Sequence, residues 1–523
     1  MTPTLLCMAL CIAAGAAFAQ PVSKWVSPGP NQRLRYTADA RGNRIMDFSH
    51  AGYKGGGVRI PQVRAVRTLR PAPGDNMAAI QAALDAVAKL EPAADGFRGA
   101  VLLTPGEFEV SGTLQFTSSG VVLRGSGSGD RGTTLKMTGA PHRMFDVHGA
   151  GSWQVEGTAA TIVDQYVPSG ADSFKVDSTA GLRAGDAVVI RRPVTEAWIH
   201  FMGMDTLVRD GKPQTWIKAG TPITSDRTVK SISGNTITLD VPLSDSFDAQ
   251  YLNPPGAAVS KYTFPGRISQ VGIESLRVAA PADDKPIDQG QYTVLRLNAV
   301  SDAWMRDVVV LETQNGITIS PTARRVTLER VRIIHNLPHT SAAAPADIAI
   351  SGSQILIDRS SVSGKGTWPI VTQNGVTGPN VVLHFECDDA GVSPHQRWAT
   401  GLLVDSSEFR NNTEKRPGVA FSNRTYAGSG HGWTVGWAVA WNVKSDYLLI
   451  QQPPGTTNWC IGCTGRASAI LWDNKAIEPP QVPSAIYEFP GQRVQPASLY
   501  LQQLQDRLGA AALEAIGYFK SSR

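Results

Sequence analysis

Between Lys365 and Trp459 the chain gathers side chains able to move protons and hold charge: His384, Asp388, Asp389, His395, Arg397, Arg424 and His431. Trp398, Tyr426, Trp433, Asn458 and Trp459 are interleaved with them in Gly-rich surroundings. A histidine close to a C–H bond beside a carboxylate can act as a general base, while Arg or Lys neutralises that carboxylate and eases loss of the proton. His395 or His431 as base, with Arg397, Arg424 or Lys365 as neutraliser, supplies both parts. Trp398, Trp433, Tyr426, Asn458 and Trp459, with Asp388 and Asp389, would then line a groove where sugar rings stack on aromatic faces and charged groups hold carboxylates. Each residue also has a plainer use. A histidine can bond a loop carbonyl, an arginine can brace a loop, and a tryptophan can cap a core.

Other motifs carry less. Gly127-Ser-Gly129-Asp-Arg-Gly132 matches a dinucleotide fingerprint in spacing but lies between short strands and opens no helix, so it reads as a turn. Cys460-Ile-Gly-Cys463 has no second Cys or His pair to complete a zinc set and no thioredoxin-like surroundings, so a structural role or a disulfide is expected. Trp198, His200, Trp216 and Lys218 form a lesser cluster upstream. No ligand loop with calcium spacing is present, and Ca²⁺ held by acidic residues is left open, as is any other metal.

The elements that must position these groups are short strands. Ala100–Leu103, Phe108–Val110, Leu114–Phe116 and Val121–Leu123 are each closed by Gly, Pro or Ser. Further on, apolar octets beginning at Ala303, Val326, Ile355, Val381 and Leu402 align with steps of 23, 29, 26 and 21 residues. Each offers an apolar strand, a polar kink and a second short strand, and His384 falls in line with Asp358 and Asp405 at the kink. Repeats of about 20 residues or more that cannot bury their own apolar face must stack, giving a solenoid with one continuous core.

The run from Gly74-Asp-Asn-Met-Ala-Ala-Ile80 through Thr104-Pro-Gly106, Ser111-Gly-Thr-Leu114 and Val121-Val-Leu-Arg-Gly125 resembles the opening of pectate-lyase-superfamily β-helices. The resemblance implies an all-β, right-handed single-stranded parallel β-helix whose first coils are capped by a helix. It also implies a secreted polysaccharide lyase or a glycoside hydrolase. Asp388-Asp389 and Gly430-His431-Gly432 are similar to the paired aspartates and G-H-G turn of polygalacturonase-type hydrolases, although their N-T-D and R-I-K strings are missing here. A non-catalytic carbohydrate-binding or adhesive β-helix is the third reading.

The organisation expected along the chain is a signal peptide over 1–19, ending at Ala17-Phe-Ala19, and an irregular lead-in over 20–73 that includes His50-Ala-Gly-Tyr53-Lys-Gly-Gly-Gly57. A capping helix and first coils follow over 74–158, with Asp75 at the helix start and Ile80, Leu84 and Val87 on one face. A β-rich insertion spans 159–262, the main β-helix with its groove 263–497, and a closing helix 498–523. The leader makes the product secreted or periplasmic. Loss of the leader leaves Cys387, Cys460 and Cys463, too few for a disulfide scaffold. Beyond the leader no stretch reaches the roughly 18 apolar residues of a membrane span. Of 523 residues, 49 are Lys or Arg and 44 Asp or Glu, a net charge of +5 that suits an acidic polysaccharide. The basic residues are scattered and no nucleic-acid motif accompanies them, which argues against nucleic acid. Monomer and trimer both remain open.

Overall fold

A short apolar run broken by polar corners buries nothing by itself, so each coil stacks on the next through parallel backbone pairing. A computed structural model describes residues 20–341, 344–468 and 485–519. Its body is a parallel β-helix of three sheets. Sheet A runs from Ala65–Leu69, Gly99–Leu103 and Val121–Arg124, through the first halves of Ile268–Ala279, Val300–Leu311 and Arg324–Ile334, to Ser353–Asp358, Thr377–Leu383, Ala399–Asp405, Val439–Trp441, Trp459–Ile461 and Ile486–Glu488. Sheet B takes the second halves of the three long strands together with Gly106–Val110, Thr133–Met137, Ser361–Ser363, Glu386–Asp388 and Glu408–Arg410. Sheet C contains Leu114–Phe116, Arg143–His148, Thr293–Asn298, Ile317–Ile319, Ala346–Ile350 and Trp368–Thr372.

The core is the column of inward side chains. In sheet A, Met305, Leu328, Ile357, Val382, Val404, Ala440 and Cys460 pair in register from coil to coil, and all are buried. Between sheets A and B the chain turns on single residues of positive φ: Ser275, Asp307, Arg330, Arg359, His384, Ser406 and Asn442, with φ of 58°, 56°, 52°, 48°, 46°, 49° and 51°. Asp, Asn and His tolerate this region best among residues with a side chain. His384 therefore occupies the polar corner, but Leu383 is the residue that pairs with Asp358 and Asp405. The one-place shift arises because buried Asn380, not Val381, lies opposite Ile355 and Leu402. Its amide bonds Ile355 N (2.9 Å) and Gly352 O (3.2 Å), so a polar residue holds a place in an apolar column.

Three additions dress the solenoid. The helix Met77–Ala88 buries Ile80, Ala83, Leu84 and Val87 on the first coils, and Asp75 accepts from Met77 N (3.0 Å) at its start. An antiparallel six-stranded sheet, with Gln154–Thr161 and Ala258–Thr263 at its base, rises between sheets C and A and carries its own apolar core. The N-terminal strap and the helices Leu499–Leu508 and Ala510–Ala515 lie along the outside of sheet A, where Val26, Met46, Phe48, Tyr500 and Leu504 pack on Leu356, Leu403, Trp441 and Ile461. The C-terminal helices cover a side of the solenoid spanning several coils. Cys387, Cys460 and Cys463 are free, buried thiols, so no disulfide joins Cys460 to Cys463. No group of three or more His, Cys, Asp or Glu able to hold a metal occurs among the described residues. No helix among them is long and apolar enough to cross a membrane. The expected leader, 1–19, lies outside the described residues.

Candidate functional site

The residues singled out from the sequence divide into three groups. The first assembles at the corner where sheet C passes into sheet A, beneath the insertion. Trp368–Thr372 ends at Gln373, and in the next coil Val392 pairs with Ile370 while His395 N donates to Thr372 O (2.9 Å). The chain then turns through Arg397 and Trp398, at φ of 54° and 66°. Arg397 N donates to His431 O (3.2 Å), Trp398 N to Trp433 O (3.0 Å) and Arg424 N to Gly432 O (2.8 Å), which brings three separate segments side by side.

The imidazoles of His395 and His431 meet edge to face, with ring centroids 4.5 Å apart at 83°. Arg424 Nη1 donates to His395 O (2.9 Å), and Arg397 Nη2 donates to both Ser429 O (2.9 Å) and Ser429 Oγ (2.6 Å). His395 Nδ1 lies 3.3 Å from Gln373 Oε1, which also accepts from Gln396 Nε2 (3.0 Å). With that oxygen an acceptor, His395 carries its proton on Nδ1 and keeps its Nε2 lone pair. His431 Nδ1 is buried without a hydrogen bond. Burial first, and then the Arg424 guanidinium, lowers both histidines, His395 to about 4 and His431 to about 3. Both are neutral near pH 7, beside two permanent positive charges.

Glycine makes this packing fit. At Gly428, with φ of 60°, a Cβ would stand 2.1 Å from His431 Nε2. At Gly432, with φ of 55°, it would stand 2.4 Å from Trp216 Cδ1. The G-H-G string is thus the turn that threads His431 between loop 425–430 and the insertion, while Arg209 Nη1 donates to Gly428 O (2.5 Å) from above. Tyr426 is half-buried in the same loop.

The second group stands at the opposite corner, between sheets B and C. Asp389 accepts from Gly366 N (2.9 Å) and pairs with Arg416 (3.1 Å), Asp388 accepts from Asn411 Nδ2 (3.3 Å), and Lys365 is exposed on the neighbouring coil. Grouping Lys365, Asp388 and Asp389 with the histidines is corrected here: sheet C separates them. Neighbours in sequence stand apart when a strand runs between them, and Asp389 is already neutralised by Arg416.

The third group is buried, which corrects its expected stacking on sugar rings. Trp398, Trp433 and Trp459 are 1%, 4% and 1% exposed and Asn458 is 0% exposed. Trp398 Nε1 donates to Asp245 of the insertion (2.9 Å), and the Trp398 ring meets Trp198 and Trp216 edge on. Trp433 O accepts from Trp216 Nε1 (3.1 Å), so these aromatics fasten insertion to solenoid. Trp459 lies under the strap beside Trp25 and Trp437. Asn458 bonds the backbone at Val435, Ala438 and Gln451. Of the lesser upstream cluster, His200 is exposed and pairs with Asp205.

Asp226 had no sequence signal, because its partners come from remote segments. Buried in the insertion, it accepts from Tyr262 OH (2.6 Å) and Trp153 Nε1 (3.2 Å) and pairs with Arg267 (2.8 Å) and with Arg324 of the solenoid. Burial opposes its ionisation, but the Arg324 and Arg267 guanidiniums outweigh it and hold its carboxyl at about 2. A cavity of about 150 Å³, lined by Trp153, Ile217, Asp226, Arg324 and Asn374, opens beside this clasp. Gly375, also on its wall, donates its N–H to Arg397 O (2.9 Å), so the wall of the cavity is bonded to the turn that carries Arg397.

No family model matches the sequence, and no curated protein matches it. Similar solved structures include the Gp54 tailspike of Acinetobacter baumannii bacteriophage AP22 in complex with capsular saccharide, at 12% identity and TM-score 0.38 over 75% of this chain and 51% of that one. The tailspike gp49 of Pseudomonas phage LKA1 is 15% identical at TM-score 0.38, over 75% and 57%. PfbA, a surface adhesin of Streptococcus pneumoniae, is 10% identical at TM-score 0.37, over 82% and 80%. The chain spans between about half and three fifths of the length of these two tailspikes.

Proposed function

We propose that this chain is an exported, polysaccharide-active β-helix protein that lays an acidic, uronate-containing polysaccharide along the sheet C to sheet A corner and cleaves it by β-elimination. The observation that carries this reading is the pair of neutral imidazoles, His395 and His431, held between Arg397 and Arg424. A neutral imidazole with its lone pair exposed can take a proton, and guanidiniums offer fork-shaped donors to a carboxylate.

In the proposed reaction His395 Nε2 takes the proton from the carbon beside the uronate carboxylate. That C–H electron pair becomes the new C=C bond, and the bond from the neighbouring carbon to the glycosidic oxygen breaks. The proton taken by His395 passes to the leaving oxygen, which returns the imidazole to its neutral form, and no water is consumed. Arg397 and Arg424 counter the charge that builds on the carboxylate in the transition state. Gln373 fixes the tautomer that leaves Nε2 free, and His431 backs the His395 ring.

The test is ultraviolet absorbance of the unsaturated product while the purified protein is incubated, with Ca²⁺ or with EDTA, with a panel of acidic polysaccharides, alongside a reducing-end assay. Rising absorbance that disappears in His395→Ala supports β-elimination. Reducing ends without absorbance would make the protein a hydrolase, and silence in both would make it a binding protein.

A further inference from the structure

A second cavity, roomier than the one beside Asp226, lies away from the histidines, on the outside of the sheet A to sheet B corner. It measures about 800 Å³, within the range of roughly 300–1,000 Å³ typical of small-molecule sites. Its walls are built from both ends of the described chain: the glycine-rich strap Gly52–Gly57 with its continuation to Gln62, and the segment Glu514–Phe519. The strap can reach its place because it is glycine. At Gly56, with φ of 83°, a Cβ would stand 2.3 Å from Ser49 O, and at Gly57, with φ of 75°, 2.8 Å from Leu508 Cδ1.

The floor is a ladder of charge. The outward position at the end of sheet A holds Arg124, Glu274, Arg306, Glu329 and Asp358 in register through five successive coils. The rungs neutralise one another: Arg124–Glu274 at 2.6 Å, Arg306–Glu274 at 2.7 Å, and Arg359 at 2.6 Å from Glu329 and 2.8 Å from Asp358. A floor balanced in this way has little net attraction for a polyanion. Arg306, Arg330 and Glu329, with side chains 20%, 42% and 12% exposed, still offer guanidinium N–H donors beside a carboxylate, on rungs about 4.7–4.9 Å apart. A row of hydroxyls, each donor and acceptor at once, is the chemistry that matches it. At the edge stand two exposed apolar side chains, Val58 at 41% and Phe519 at 58%, the latter the one aromatic ring among the exposed large hydrophobic residues described. Such a ring suits the C–H face of a sugar better than it suits water.

The geometry points to this cavity as a second saccharide site, one that takes a neutral, hydroxyl-rich oligosaccharide and is independent of the His395 corner. The full chain and its Ala515→Trp, Phe519→Ala and Arg397→Ala variants are applied to an array of short neutral oligosaccharides and oligogalacturonates, and the retained glycans are titrated by calorimetry. The expected result is retention of at least one neutral oligosaccharide, with affinity at least about tenfold weaker in Phe519→Ala and in Ala515→Trp and unchanged in Arg397→Ala. Phe519 is exposed, so its variant reads binding even where Ala515→Trp fails to fold. The inference is overturned by an array that retains no neutral glycan, by neutral binding that Phe519→Ala leaves intact, or by neutral binding lost in Arg397→Ala. Cleavage or binding of acidic polymers is read separately and bears only on the His395 site.

Discussion

Sheets A and C share one core and face opposite fates outside. The outward row of sheet A includes Leu356, Leu383, Leu403, Trp441 and Ile461, all sealed beneath the N-terminal strap and the C-terminal helices. The outward row of sheet C reads Gln115, Asp146, Arg296, Thr318, Ala349 and Val371, and begins with a bidentate ion pair, Arg296 to Asp146 at 2.8 and 2.7 Å. A strand buried on both faces is apolar throughout, whereas one with an open face alternates. From Thr377–Leu383 onward the solenoid thus spends the outside of sheet A on cohesion, and it leaves sheet C, with the corner that follows it, open.

The sharpest way to break this contrast is to cut into the sealed face. Trp441 is 0% exposed, and its Nε1 donates to Pro496 O (2.8 Å). Trp441→Ala removes the ring and leaves a void, while Asn442 Nδ2 still donates to Pro496 O (3.2 Å), so it is expected to cost about 3–5 kcal/mol, measured by denaturant unfolding. A loss below about 1 kcal/mol, the scale of a partly exposed site, would mean that the strap and helices are not holding sheet A closed. The complementary cut is made at the open corner. His395→Ala should lower the elimination rate by roughly 10²–10⁴-fold while leaving the unfolding midpoint near that of the parent. A variant that kept its rate would move the base elsewhere, and one that unfolded would make His395 a structural residue.

The two faces were unequally legible. The inward column could be read because apolar residues recur in every coil, while Asn380 and Asn458 break the pattern by bonding backbone where an aliphatic side chain is the norm. The sealing of sheet A could not be read, since its cover comes from segments separated by hundreds of residues, such as Phe48 N on Gln503 Oε1 (2.9 Å). The tryptophans were misread for the same reason: Trp398 looks like a sugar platform until Asp245, 153 residues away, takes its N–H. His395, Arg397, Arg424 and His431 did assemble, because the turns that join them are local and rich in glycine. Lys365, Asp388 and Asp389, equally near in sequence, were carried to the far corner by one strand.

Acid and base distinguish the faces further. On the open corner, burial lowers His395 to about 4 and His431 to about 3 from an ordinary value near 6.5, so between those values the unfolded chain binds the protons. Their contribution to stability is complete above about 6.5 and is lost as pH falls through 4 to 3. On the outside of sheet A, burial raises Asp358 and Asp405 to about 6 from 3.8, so the folded chain binds the protons. Their contribution is complete below 3.8 and lost as pH rises through 6. The two windows overlap with opposite sign, so between pH 3 and 6.5 the rise of stability with pH should be flattened in His395→Gln/His431→Gln and steepened in Asp405→Asn. His50 and His384, also lowered by burial to about 3 and about 4, preserve part of that rise in the first variant. A change of the same sign in both would show that the two sides do not titrate separately.

The smallest expected effect is the most direct check on what sheet C is for. Thr318 lies on its outward row between Arg296 and Ala349, half-buried, one coil step from the Arg296–Asp146 pair. If that row were cohesive like its counterpart in sheet A, trimming Thr318 to Ala would open a void and cost as a core site does. If the row is a solvent-facing surface, the change should stay within about 0.5 kcal/mol. Trp441→Ala and Thr318→Ala, measured in the same denaturant, therefore place the two faces on one scale. Near-equal costs would mean that the face left polar by the sequence is as structural as the one it filled with leucine and tryptophan.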